Sequence, residues 1–120
     1  MRAMFCCDGP LCRDQYGSYY GVALNERMFS RYYQITDSLT VAIRTEQIKS
    51  DGIINGLSKI NLNNFQVVPC PNLSSLKGML LNRFKLENIL YDQIKNVDFL
   101  IIRLPSLIGS LSIDIARKMN

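Results

Sequence analysis

Histidine is absent from this chain of 120 residues. That removes at once the side chain that most often serves as an acid–base group near neutral pH and the commonest metal ligand. A metal site would have to be assembled from thiolates or carboxylates, and the four cysteines do not offer one. Cys6 and Cys7 are adjacent in an apolar segment, while Cys12 and Cys70 follow no zinc-ligand spacing. They read as reduced thiols of a cytosolic protein, and neither metal nor cofactor is expected. The chain also lacks a block or stripe of basic residues. Its 14 Lys and Arg against 10 Asp and Glu leave a scattered +4, which excludes a nucleic-acid footprint and leaves a mild preference for phosphates or an anionic membrane surface. No long apolar run survives uninterrupted. The most apolar stretch, 97–115, is cut by Asp98, Arg103, Pro105 and Asp114, short of the roughly 20 residues a transmembrane helix needs. The N-terminus has no long apolar core behind Arg2 and does not read as a signal peptide. Repeats, low-complexity tracts and linkers are missing too, so 1–120 is expected to be one domain.

What is present alternates strand with helix. "MRAMFCC" reads as a short apolar strand, followed by turn signals at Gly9-Pro10 and Gly17. From Gly21 to about Tyr33 the four-residue spacing of Leu24, Met28 and Tyr32 predicts a helix. "LTVAIR" (39–44) is β-branched enough for a second strand, and 45–63, with two glycines and no clean period, reads as an irregular excursion with at most one helical turn. "FQVVPC" (65–70) is a third strand. The next segment is a helix with an apolar stripe of Leu86, Ile89, Leu90 and Ile94, for which Asn72 or Ser74 offers an N-cap. A fourth strand covers 97–103. The loop "LPSLIGS" then leads to a last helix from about Ser110, with Leu111, Ile115 and Met119 spaced by four.

Strands alternating with helices imply an α/β fold, a Rossmann-like parallel sheet with helices on both faces. Ligands of such sheets sit beyond the carboxyl ends of the strands where the strand order reverses, here the loops 8–21 and 103–110. Two groups in them are candidates. Arg103 ends an apolar run, "VDFLII", that reads as a strand buried on both faces. Its guanidinium either faces the crevice and holds a ligand or pairs with a carboxylate and closes the sheet. "GSYYG" (17–21) either brings backbone N–H groups and a helix N-terminus to an anion or is an ordinary strand-to-helix turn, since no full GxGxxG is present. Lys77, Arg83 and Lys85 read as a solvated helix face, with a membrane-surface contact as the alternative. No nucleophile with a base can be named; Asp8 and Asp14 share one loop with no partner fixed by spacing.

"GSYYGVALNERMFSRYY", "TVAIR", "LSKI", "FQVVPCPNLSS" and above all "DFLIIRLPSLIGSLSIDIARKMN" follow one another in an order that resembles the N-terminal domain of bacterial family-four glycosyltransferases of polysaccharide biosynthesis. The resemblance implies the N-terminal half of a GT-B fold, with sheet order 3-2-1-4 and a further strand expected after "ARKMN". It implies the acceptor side of a retaining, metal-independent transferase that moves a sugar from a nucleotide-sugar donor onto a growing capsular, exopolysaccharide or lipid-linked saccharide. By motif position, Gly17, Tyr19, Tyr20 and Gly21 would lie near the donor phosphates or the acceptor, and Arg103 and Ser106 would line the acceptor side. Full members are much longer, and their donor-binding half has no counterpart in these 120 residues. The chain is therefore expected to be a fragment, a truncated reading frame or one subunit of a split enzyme, inactive alone because the leaving phosphates need stabilising groups close by. It is expected in the cytoplasm or at the inner face of the membrane, with the donor half as partner and a homodimer through the open sheet edge as a further expectation. The alternative is a non-catalytic α/β module that binds a phosphate ligand or a partner protein.

Overall fold

A computed structural model describes residues 1–48, 57–71 and 76–119. Its centre is β1 (Arg2–Cys6). Ala3 and Phe5 point to one face and Met4 and Cys6 to the other, and all four are fully buried, as a strand with neighbours on both sides and helices above and below must be. β1 runs parallel to β4 (Ser38–Gln47), with Arg2 opposite Ser38 and Cys6 opposite Ala42. It also runs parallel to β7 (Phe99–Ile102), with Ala3 opposite Phe99 and Cys6 opposite Ile102. β6 (Phe65–Cys70) is parallel to the outer side of β4. The resulting order β6-β4-β1-β7 is the 3-2-1-4 arrangement that the resemblance implied.

Helices cover both faces of this sheet. On one, α2 (Leu76–Ile94) and α3 (Leu107–Met119) bury Leu86, Leu90, Ile94 and Ile108 against Met4, Cys6, Ala42 and Cys70. On the other, the short α1 (Glu26–Ser30) and the 3-10 turn Arg31–Gln34 cover Ala3, Phe5, Leu39, Val41 and Ile43. There Phe29 meets Phe5 edge-on at 5.4 Å and Phe65 at 5.3 Å, contacts whose geometry adds to the area they bury. Crossovers that step outward from β1 and then back from β6 to β7 need opposite faces to stay right-handed. Among the described residues no helix is long and apolar enough to cross a membrane.

Three local readings change. Residues 8–21, expected as loop, contain a hairpin of β2 (Leu11–Arg13) and β3 (Tyr19–Gly21). β4 is longer than "LTVAIR", and its last residues pair parallel with β2, Thr45 opposite Leu11, while β3 pairs with β5 (Ser58–Lys59). Among the described residues these additions bring the sheet to seven strands. Part of the supposed excursion is thus sheet; 49–56 lie outside the described residues. The first helix does not start at Gly21, where a Cβ would run into the Leu24 carbonyl. It starts after Asn25, whose side chain accepts from the Met28 N–H at 2.9 Å, a standard N-cap. α3 begins before Ser110, at Leu107. The N-caps proposed for the helix before β7, Asn72 and Ser74, lie outside the described residues.

Candidate anion site at the strand exits

β1 and β7 end side by side, and the Arg103 N–H donates to the Cys6 carbonyl at 3.1 Å as the last rung between them. Beyond it the chain makes two loops, 7–10 and 103–106, each with a cis X-Pro bond, at Pro10 and Pro105. Asp8 ties them together. Its carboxylate accepts from the Ser106 hydroxyl at 2.7 Å and from the N–H groups of Leu107 and Ile108, each at 3.1 Å. The Ser106 side chain in turn accepts from the Gly109 N–H at 2.9 Å, and its carbonyl takes the Ser110 N–H at 3.0 Å. The four N–H groups that open a helix are its orphan donors and its positive end. In α3 all four have partners within the chain, and an anion already sits on them in the form of Asp8.

Arg103 is what remains open. Its side chain is exposed, with one guanidinium nitrogen 3.9 Å from the Met28 sulfur of α1. Among the described residues it is in no ion pair. The charge at the end of an apolar strand is tolerated because the strand stops one residue earlier and the side chain leaves the core. The carboxylate clamp that would have closed the sheet is not there. Ser106, the other residue placed on this side by motif, is buried, and its hydroxyl is committed to Asp8 and Gly109. Asp8 had been visible in the sequence only as an acid after the first strand; its role depends on a partner 98 residues away.

The "GSYYG" segment is built differently from either reading of it. Gly17, at φ +85°, turns a hairpin rather than leading a strand into a helix. Asp14 organises that turn: its carboxylate accepts from the Tyr16 and Ser18 N–H groups at 2.9 and 2.8 Å and from the Tyr20 hydroxyl at 2.9 Å. The Gly17 N–H goes to the Asp14 carbonyl at 3.2 Å. Desolvation pushes the Asp14 carboxyl up, but the donors Ser18, Tyr20 and Tyr16, with Lys59 nearby, outweigh it and hold the group below the usual carboxylate range. The same bond to Asp14 is the main reason the Tyr20 hydroxyl is raised. Tyr19 and Gly17 border a cavity of about 220 Å³ with Ile60, Leu62 and Phe65, and Gly21 is buried at the end of β3. Among the described residues no hydrogen bond joins Gly17, Tyr19, Tyr20 or Gly21 to Arg103 or Ser106.

Chemically, this arrangement can hold an anion and has little to react with it. Burial pushes Cys6 up to about 11 and Cys70 up to about 12, with the Ser112 hydroxyl opposing part of the Cys6 shift. Such thiols stay protonated and unreactive near neutrality. Among the described residues no group of three or more His, Cys, Asp or Glu could hold a metal ion.

Comparison with known proteins gives one clear similarity. The chain is 26% identical to Protein CapJ of Staphylococcus aureus over 120 residues, all of this chain but 30% of that protein. It therefore spans less than a third of its relative's length. No protein-family model matches the chain, and no solved structure matches it.

Proposed function

We propose that this chain is the acceptor-side domain of a retaining glycosyltransferase that builds capsular or related polysaccharide, transferring a sugar from a nucleotide-sugar donor to a saccharide acceptor. The similarity to Protein CapJ over the whole chain supports it, as does a Rossmann-like parallel sheet with the β6-β4-β1-β7 order. The observation that carries the acceptor role is Arg103, a fixed cation that among the described residues is in no ion pair, at the exit of β7 beside a helix end already closed by Asp8. Two backbone nests that a nucleotide phosphate would otherwise use are filled by Asp8 and Asp14, so donor binding belongs to the other half. Arg103 meets the phosphate of a lipid-linked acceptor, where its planar fork can hold two oxygens. Gly17, Tyr19, Tyr20 and Gly21 border the cleft in this reading, and Ser106 acts through Asp8 rather than on the ligand.

Calorimetric titration with a short-chain polyprenyl-diphosphate saccharide and, separately, with nucleotide sugars tests the assignment. The acceptor analogue should bind, roughly tenfold more weakly after Arg103→Ala, as loss of one charge-assisted contact implies, while nucleotide sugars bind poorly and are not turned over. Turnover by this chain alone would overturn the reading. Binding of neither class would favour a non-catalytic module that docks a partner.

A further inference from the structure

α2 carries two apolar stripes. Leu86, Leu90 and Ile94 face the sheet and are buried. On the opposite side Leu81, Phe84 and Tyr91 are 67%, 76% and 51% exposed, and steps of three and seven residues place them on one face. A helix of a globular domain ordinarily turns polar residues outward; this one turns out three of its largest apolar side chains. Lys77, Lys85 and Lys95 border them, each one turn from Leu81 or Tyr91, and all three are exposed. Lys95 lies within 6.0 Å of the Tyr91 ring and 3.4 Å from Asp92. Arg83 is engaged by Glu87 at 3.1 Å, but neither Lys77 nor Lys85 has a carboxylate partner among the described residues.

The composition of this face selects its occupant. The cores of protein–protein interfaces are depleted in lysine, and an interface centred here would have to desolvate several. A bilayer surface has no such cost, because lysine stems lie along the apolar boundary while their ammonium groups stay among headgroup phosphates. Tyr91 has the amphipathic ring suited to that depth. We propose that the outward face of α2 seats on an anionic lipid bilayer, with Phe84 and Leu81 at the acyl boundary, Tyr91 at headgroup level and Lys77, Lys85 and Lys95 against the phosphates. The inference does not rest on the transferase reading, since it concerns a surface away from the strand exits.

The sequence contains no tryptophan, so Phe84→Trp introduces a single reporter at the centre of the face. With phosphatidylcholine vesicles partly replaced by phosphatidylglycerol, its emission should shift to the blue and the wild-type chain should co-sediment, less so as salt rises. A Leu81→Gln, Phe84→Gln double variant should bind at least roughly tenfold more weakly with an unchanged melting curve. Lys77→Gln with Lys85→Gln should remove the preference for the anionic vesicles. No co-sedimentation, or equal binding by the double variant, would overturn the proposal. So would a wild-type dimer that Phe84→Gln converts to monomer, which would show that protein covers this face.

Discussion

β1 and β7 are neighbours, paired residue for residue over Ala3–Cys6 and Phe99–Ile102, and both are apolar. Yet the four paired residues of β1 are fully buried, while all four residues of β7 are only half-buried. The difference lies in what stands beside them. β1 has β4 on one side and β7 on the other, whereas among the described residues β7 has β1 alone. In a parallel sheet, composition makes a strand fit to be interior, but neighbours make it so. β7 has an interior strand's sequence in an edge position, and a cavity of about 570 Å³ lined by Phe99, Leu100, Ile94, Ala116 and Met119 runs along it.

The contrast should be largest in stability. Phe5→Ala removes a fully buried ring that packs on Phe29 and Tyr32 and should cost roughly 3–5 kcal/mol. Ile101→Ala, at the partner position of Phe5 in β7, should cost clearly less in the same urea melts. Equal losses would mean that something covers the β7 edge in solution.

Next in size is a titration of two buried thiols, one on the interior strand β1 and one on the outer strand β6. Cys6 of β1 and Cys70 of β6 ionise at about 11 and about 12 in the fold, against an ordinary 9.0. The unfolded chain therefore loses its protons first as pH rises. The contribution is fully present below 9.0 and is lost as pH climbs through the folded values, by roughly 2–4 kcal/mol for each thiol. Stability measured from pH 8 upward should fall along this limb, and Cys70→Ala should flatten it; an unchanged slope would show that the thiols are not held in the core.

The smallest effects lie at the exits of the two strands. Asp8→Ala strips three acceptor contacts from the start of α3 and should cost about 1–2 kcal/mol, the size of a lost cap. Arg103→Ala, next to it but exposed and in no ion pair among the described residues, should stay within about 1 kcal/mol. If Arg103→Ala proved the more damaging, β7 would end in a structural clamp and its role in ligand binding would fall.

The four parallel strands were legible because they are written as apolar runs, while their order was expected from the family resemblance. The hairpin was not, because β2 and β3 have too few residues for a pattern and owe their extension to the tail of β4 beyond Arg44. Leu24, Met28 and Tyr32 mimicked one helix because all three pack on the same cluster, although Leu24 precedes the N-cap and Tyr32 lies in the 3-10 turn. Arg103 was placed correctly at a strand exit; the device beside it was hidden, since no local pattern links Asp8 to Ser106. The outward stripe of α2 escaped notice for a related reason: apolar residues on two faces of one helix blur its period.

The position of β1 also bears on how the chain is made. Its amide at Arg2 bonds to Asp98, 96 residues along, so the central strand cannot gain its second neighbour until the segment from β1 through β7 has left the ribosome. Contacts of such separation are slow to close and leave apolar edges waiting. A sheet built around the earliest of its strands thus ties cooperative folding to the synthesis of β7: β1 precedes its neighbours in the chain and is among the last strands to be enclosed.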